Sequence, residues 1–361
     1  MIGRTLFGYF LRRYLIIVMQ FLLAVAIIAF LIDFAELARR VGGLPGYSMG
    51  IGMVVTALRL PSLIELAMPF VILFAAMSVL MTLNRRYELV IARSAGVSAW
   101  QFLMPICLGS VMIGILTITV FNTLSAYALS QSQMLETTIR GGAARADGQR
   151  MPWLRQKTDE GATIIGAKRT AEQGLLLSEA TFVRFDANND ISERLDAREA
   201  RLGDGAWKLT DVTRYDSNGT KSTLPTAEVA TGLKPEFVEE QFAMPETIPF
   251  FQLAGKIDAA RSFGLSANAF SMQYHSLLAL PPLLVAMTLI AATVSMRFAR
   301  LGQSALMILG GVLAGFLLYV VTVLVKALGS SGFVLPVVAA WTPVVIAAFF
   351  GVTFLLHKED G

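Results

Sequence analysis

A short charged stretch, residues 84–100 (NRRYELVIARSAGVSAW), lies between two apolar runs that are each long enough to cross a bilayer. It holds one acid among three arginines: Arg85, Arg86, Glu88 and Arg93. Because unpaired charges are costly in hydrocarbon, the stretch must lie on the membrane surface or dock into a protein. A single acid beside Tyr87, Leu89 and Val90 forms a compact patch that a partner groove could recognise.

The apolar positions of this stretch predict a short helix. A helix from about residue 86 to residue 94 would place Leu89 and Val90 on one apolar side. Gly96 is expected to end the helix in the left-handed conformation. The alternative is a solvated loop whose arginines only fix the orientation of the chain in the membrane.

A second group of charges falls near the far ends of the apolar runs: Asp33, Glu36, Arg39, Arg40, Arg59, Glu65 and Lys326. Charges at that depth are costly, so each is a candidate for function. Glu36 and Arg40 have helical i,i+4 spacing, and only one of the two adjacent arginines is expected to take Glu36. A free arginine at headgroup level suits a phosphate or carboxylate on an amphiphilic ligand. The structural alternative, which applies to Arg59 and Glu65 in particular, is pairing among the members of this group together with snorkelling to headgroups.

Motifs for a catalytic centre are missing from the sequence. It contains no Gly-x-x-x-x-Gly-Lys-Ser/Thr and no His-Glu-x-x-His, and Cys107 is its single cysteine. His275 stands near Ser271 and Ser276, but serines in an apolar helix are more simply packing residues. The chain is therefore expected to be no enzyme and to hold no metal or cofactor of its own.

The composition requires a membrane protein. Of 361 residues 55% are hydrophobic, the mean hydropathy is +0.61 and the net charge is +4. The apolar runs predict six spans, at residues 15–37, 61–83, 102–124, 267–296, 305–328 and 334–356. The amphipathic N-terminus is expected to approach the first span along the interface, without a cleaved signal peptide. Pro69 predicts a kink in the second span, and the third helix is expected to continue to Gly141.

Between the third and fourth spans the character of the sequence changes. Residues 142–250 hold short, partly alternating segments separated by Asn, Asp and Gly turns, which predicts an antiparallel β-sandwich or jelly roll. The predicted domains are thus residues 1–141, 142–250 and 251–361. Because three spans precede the β domain and three follow it, both termini lie on the same side of the membrane. The arginines on that side make it cytoplasmic and the β domain periplasmic, in a multi-pass inner-membrane protein.

With these residues in hand, the chain resembles the LptF/LptG (YjgP/YjgQ) permeases of the lipopolysaccharide exporter, and the LptG branch more than the LptF branch. The most specific segments are RRYELVIARSAGVS at 85–98, PSLIELAMPFVILFAAM at 61–77 and AWKLTDV at 206–212. The resemblance covers nearly the whole length. It implies six spans around a periplasmic β-jellyroll, in a subunit that draws lipopolysaccharide from the outer leaflet of the inner membrane.

The resemblance also implies partners, and none of them is a nucleic acid. They are an LptF-like permease as heterodimer partner, an LptB-like ATPase dimer that binds ATP and Mg, an LptC-like single-span protein and an LptA-like periplasmic bridge. Glu88 matches the acid of the coupling helix that enters the ATPase groove. The candidate coupling residues are Arg85, Arg86, Tyr87, Glu88, Leu89, Arg93 and Gly96.

Lipopolysaccharide contact is implied most directly for Arg39 and Arg40, which match the paired basic residues of the family. The sequence departs from the family pattern at Asp33, where a basic residue is common, and in the outer third span, whose one basic residue is Arg140. The full candidate set is Arg39, Arg40, Asp33, Glu65, Arg140 and Lys326.

Two other functions fit the sequence. An ion-coupled secondary transporter would use Asp33 and Glu65 as ion sites, and it would work without an ATPase. A membrane-anchored adaptor would bind partners through an open edge of the β domain, and its spans would be exchangeable.

Overall fold

The computed structural model describes twelve stretches of the chain: residues 4–44, 46–94, 96–140, 151–158, 161–171, 175–185, 190–203, 205–216, 220–231, 244–262, 266–295 and 305–359. These residues divide into two compact units. One comprises residues 1–43, 47–134 and 245–361, and the other comprises 44–46 and 135–244.

The first unit is helical. Before the β segment lie α1 (Arg4–Val41), α2 (Met49–Arg85), α3 (Glu88–Ser94), α4 (Ala99–Leu116), a π-helical turn (Thr117–Phe121) and α5 (Asn122–Arg140). The last residues of α5, from residue 135 on, belong to the second unit. After it lie a 3-10 turn (Pro245–Thr247), α6 (Phe250–Ser262), α7 (Asn268–Leu278), α8 (Leu280–Ser295), α9 (Ala305–Ser330) and α10 (Pro336–Glu359).

Five helical segments of the described chain are long and apolar enough to cross a membrane, and α7 with α8 makes a sixth if the pair is one span. The fourth predicted span is this pair, which bends by 50°. The bend has a local cause, because Pro281 and Pro282 carry no N–H to continue the α7 hydrogen bonds. The first, second and fifth predicted spans lie within α1, α2 and α9, which are longer than predicted. The third extends over α4, the π-helical turn and α5, and the sixth begins two residues before α10. The second helix begins at Met49, where the Ser48 side chain accepts a hydrogen bond from the Ile51 N–H.

α2 is the central helix of this unit. In the most apolar 18-residue stretch of each helix, 61% of the residues are buried in α2, 6% in α1 and 11% in α9. Its buried side chains include Ile72, Val79 and Leu83, and α1, α4 and α8 contribute to the same core. The exposed apolar faces of α1 and α9 are suited to contact lipid.

Small residues let the helices approach closely at specific points. A Cβ on Gly114 of α4 would lie 2.6 Å from the Cα of Pro281, and one on Gly311 of α9 would lie 2.8 Å from Cγ2 of Val294. A Cβ on Gly315 would overlap Leu73, whereas one on Gly310 would meet nothing within 4 Å. Close packing of α9 therefore depends on the glycines at positions 311 and 315 and not on the one at position 310.

The second unit contains a six-stranded antiparallel sheet in which each strand pairs with its neighbours in sequence. The strands are β1 (Met151–Thr158), β2 (Gly161–Ala171), β3 (Leu176–Phe185), β4 (Ile191–Leu202), β5 (Ala206–Asp216) and β6 (Lys221–Ala230). The inserted antiparallel β domain is thus confirmed. The sequence of β1 gives a weak strand signal, because it contains Pro152.

One face of the sheet carries the core of the second unit. Trp207 is fully buried and its ring meets Phe182 at a centroid distance of 6.0 Å. Glu193 on β4 accepts from Arg184 on β3 at 2.6 Å and pairs with Arg214 on β5 at 2.7 Å. The alternation of apolar and charged residues in β4 produces this two-faced sheet.

A glycine-to-alanine pair tests the close approach of α4 to α8. Gly114→Ala should lower stability by about 1–3 kcal/mol, because the new methyl group would overlap the backbone of Pro281. Gly310→Ala is the matched control and should be neutral or stabilising by up to about 1 kcal/mol, since alanine favours a helix. Thermal unfolding in detergent measures both, and equal midpoints would contradict the packing.

Candidate functional site

Two sharp turns separate α3 from the long helices on either side. After α2 ends at Arg85, Tyr87 has a φ of 61°, an unusual value for a bulky residue. After α3 ends at Ser94, Gly96 has a φ of 83°, which is the left-handed conformation expected of it. Ser98 then begins α4 with a capping box shared with Gln101. The predicted short helix is therefore present, but it starts at Glu88, two residues later than expected.

The inner side of α3 belongs to the hydrophobic core. Leu89 is 4% exposed and Ala92 is 7% exposed, and Leu89 packs with the core of the helical unit. The buried Asn84 side chain donates to the Ser295 carbonyl at 3.3 Å and so joins the end of α2 to the end of α8. Leu89 was a candidate partner contact from sequence, but the structure gives its side chain an anchoring role.

The outer side of α3 is exposed and apolar. Tyr87 is 61% exposed, Val90 43% and Ile91 64%. Arg85 and Arg86 are exposed beside them. Sequence reasoning missed Ile91, although its position four residues after Tyr87 places both on one helix face. The side chain of Arg93 is not among the described ones.

Glu88 forms an ion pair with Arg13 of α1. The Arg13 guanidinium donates to the two carboxylate oxygens of Glu88 at 3.1 and 3.4 Å, and also to the Tyr9 hydroxyl at 2.7 Å. The Arg13 and Glu88 side chains are 17% and 28% exposed. Sequence reasoning gave Arg13 only a topological role, because a contact between residues 75 positions apart has no local signature.

Next to Arg13, Tyr14 fixes α1 to two other helices. Its hydroxyl lies 2.7 Å from the Ser110 hydroxyl of α4, which lies 2.7 Å from the Thr288 hydroxyl of α8. All three side chains are buried. α1 is therefore held by hydrogen bonds to α4 and α8 at the level where it contacts Glu88.

Toward the other end of α1, Asp33 pairs with Arg59 of α2 at 3.4 Å. Asp33 is 9% exposed, so it serves an interhelical contact. Closer to the helix end, Glu36 contacts both following arginines, Arg39 at 2.7 Å and Arg40 at 3.5 Å. The expectation that Glu36 pairs with only one arginine is wrong, because positions i+3 and i+4 both face a carboxylate that has two oxygens.

Glu65 and Lys326 line one cavity of about 200 Å³ in the helical unit. The Asn122 side chain donates to the Glu65 carboxylate at 3.0 Å and accepts from the Phe250 N–H, at the start of α6, at 2.9 Å. Lys326 donates to the Gln273 side chain at 2.9 Å. The pairing expected within this group of charges is thus confirmed for Arg59, whose partner is Asp33, whereas Glu65 accepts hydrogen bonds from the uncharged Asn122.

The π-helical turn directly before Asn122 was not predicted. Such turns often occur at functional sites. This one precedes Asn122, which is 2% exposed and whose side-chain amide both donates and accepts a hydrogen bond. The candidate lipid residues therefore occupy three places: the exposed end of α1 with Arg39 and Arg40, the Asp33 pair, and the cavity. The Arg140 side chain is not among the described ones.

Comparison with known proteins identified one family. A family model described as "Lipopolysaccharide export system permease LptF/LptG" matches residues 8–357, which is nearly the whole chain. The model treats the two branches of the family together. No curated protein matched the chain.

The Asp33–Arg59 pair gives a test of interhelical pairing. Asp33→Ala or Arg59→Ala should each cost about 3 kcal/mol of stability, because each leaves a charge of the opposite sign largely buried and unpaired. The double variant should cost less than the sum of the single variants. Arg39→Ala, at a pair that is mostly exposed, is the control and should cost less than about 1 kcal/mol. Additive single effects in thermal unfolding would contradict the pairing.

Proposed function

The chain belongs to the LptF/LptG family of lipopolysaccharide export permeases, and on that premise we propose that it couples ATP hydrolysis in a partner to lipopolysaccharide movement. Membership makes it a non-catalytic permease subunit of lipopolysaccharide export in the inner membrane, and its several apolar helices agree with a multi-pass protein. In the proposal, an ATPase dimer binds ATP and Mg, and a second permease of the family completes the transmembrane part.

The two-sided character of α3 carries the proposal. Its inner side is anchored through Leu89 and Ala92, whereas Tyr87, Val90 and Ile91 leave an apolar surface exposed on a segment that its charges keep out of hydrocarbon. Exposed apolar patches framed by charges are typical of protein interfaces. We assign this surface to the ATPase partner, with Arg85 and Arg86 at its rim.

The Arg13–Glu88 pair supplies a route from α3 into the membrane. A force on α3 reaches α1 through this ion pair, and Tyr14 passes it to α4 and α8. α1 is one continuous helix, so its other end at Arg39 and Arg40 lies about 39 Å away at 1.5 Å per residue. A rigid helix of that length joins the coupling surface to the opposite membrane surface.

At that opposite end we place the lipopolysaccharide headgroup contact. Arg39 is 76% exposed and Arg40 is 41% exposed, and both guanidinium groups retain donors beyond those facing Glu36. Guanidinium groups match phosphate oxygens in charge and geometry. The Asp33–Arg59 pair supports this contact indirectly by holding α1 against α2.

The β unit fits the role of a docking platform for a periplasmic bridge. β1 and β6 lie at the two ends of the described sheet. An added strand from a partner can extend such an edge through backbone hydrogen bonds. In the proposal, the LptC-like protein and the LptA-like bridge bind in this way, and lipopolysaccharide passes on to them.

An ion-coupled mechanism gains no support from the residues it would need. Asp33 is neutralised by Arg59, and Glu65 is hydrogen-bonded by Asn122. Two carboxylates held apart in this way, each with its own partner, do not form a shared cation site.

The coupling role predicts a transport defect without a folding defect. Glu88→Ala should reduce ATP-driven lipopolysaccharide release from vesicles that contain the assembled exporter at least tenfold, because α3 loses its link to α1. Arg13→Ala should act in the same direction, and the double variant should be no worse than Glu88→Ala. Asp258→Ala, which removes an exposed acid of α6, is the control. Normal release by Glu88→Ala, with its circular dichroism spectrum unchanged, would reject the coupling role.

The headgroup role predicts a charge effect on binding. Arg39→Glu with Arg40→Glu should weaken binding of lipopolysaccharide to the purified protein in detergent at least tenfold, because two cations become two anions near its phosphates. Arg39→Lys with Arg40→Lys keeps the positive charge and should lose only a few-fold. Equal binding by wild type and the glutamate variant would exclude these arginines from the headgroup site.

A further inference from the structure

The cavity with Glu65 and Lys326 lies about one hydrocarbon thickness away from α3. Glu65 is about 30 Å from the Arg85 end of α2, Asn122 about 35 Å from the start of α4, and Lys326 about 32 Å from the start of α9, at 1.5 Å per residue. The hydrocarbon core of a bilayer is about 30 Å thick. Three helices thus agree that the charged part of the cavity lies at the headgroup level opposite α3.

The cavity walls divide into a charged part and an apolar part. Glu65 and Glu246 contribute carboxylates and Lys326 contributes an ammonium group, while Leu277, Leu280 and Leu283 are among its aliphatic lining residues. Its volume of about 200 Å³ suits a headgroup with the first part of an acyl chain, and is too small for a whole lipid. An amphiphile at the membrane surface matches this division.

The charges select among headgroups. An anionic headgroup would be attracted by Lys326 but would also meet two carboxylates, whereas a purely cationic group would meet the ammonium group. A headgroup with both an ammonium and a phosphate offers each side chain a partner of opposite charge. The donors and acceptors are sufficient: a carboxylate has about four acceptor sites and a lysine three donors, and Gln273 takes one donor of Lys326.

We propose that this cavity binds the headgroup of a zwitterionic aminophospholipid, with its ammonium against Glu65 and its phosphate against Lys326. Asn122 holds the Glu65 carboxylate in place and at the same time caps the first turn of α6. The bound lipid is a resident of this subunit. Its binding is measured on the chain without an ATPase, so the result is independent of the exporter proposal.

Lipid titration of the purified full-length chain tests the proposal. After removal of lipid in detergent, native mass spectrometry compares phosphatidylethanolamine with phosphatidylglycerol of the same acyl chains. Wild type should bind phosphatidylethanolamine at least tenfold more tightly. Glu65→Gln should abolish that preference, and Asp258→Asn, at an exposed acid of α6, should keep it. Equal binding of the two lipids by wild type, or a preference for phosphatidylglycerol, would overturn the proposal.

Two further variants keep the test decisive if Glu65→Gln fails to fold. Leu66 lines the cavity and is 57% exposed, so Leu66→Trp should fold and should block phosphatidylethanolamine at least tenfold by filling the space. Lys326→Gln should weaken both lipids, since both carry the phosphate. Phosphatidylethanolamine binding that survives Leu66→Trp unchanged would place the lipid elsewhere on the protein and overturn the assignment.

Discussion

A charged side chain in or beside the hydrocarbon layer must be paired, and this constraint organises the helical unit. Among the described residues, such pairings join different helices at Arg13 with Glu88, Asp33 with Arg59, Asn122 with Glu65, and Gln273 with Lys326. Each one connects parts of the chain that are distant in sequence. Because leaving one partner alone costs several kcal/mol in such surroundings, the helices are constrained to move together at these points.

The pairings give α1 a central mechanical position. Few residues of its apolar stretch are fully buried, and polar contacts fix it at both ends. Arg13 and Tyr14 attach one end to α3, α4 and α8, and Asp33 attaches the other to α2. A helix that is held by polar contacts at its two ends and has an apolar face toward lipid can move through the lipid as one rigid body. That property is what the proposed transmission of motion across the bilayer requires.

The sequence predicted the helices, the inserted β domain and the family, because long apolar runs and alternating strands are local signals. It also placed Glu65 and Lys326 among the functional candidates. It could not predict that Glu88 meets Arg13 or that Asp33 meets Arg59, since a pairing between distant segments leaves no trace in either one. The π-helical turn was also not predicted. Its hydrogen bonds differ from those of an α-helix, but its residue types are those of an ordinary helix.

Site-specific photocrosslinking in native membranes tests the central claim that the outer side of α3 receives an ATPase. A photoreactive amino acid at Ile91, which is 64% exposed on α3, should crosslink to a nucleotide-hydrolysing subunit. The same residue at Ile115, which is 52% exposed on α4, should not. Absence of the Ile91 crosslink in an exporter that still transports lipopolysaccharide, or a crosslink from Ile91 to a periplasmic protein, would contradict the account.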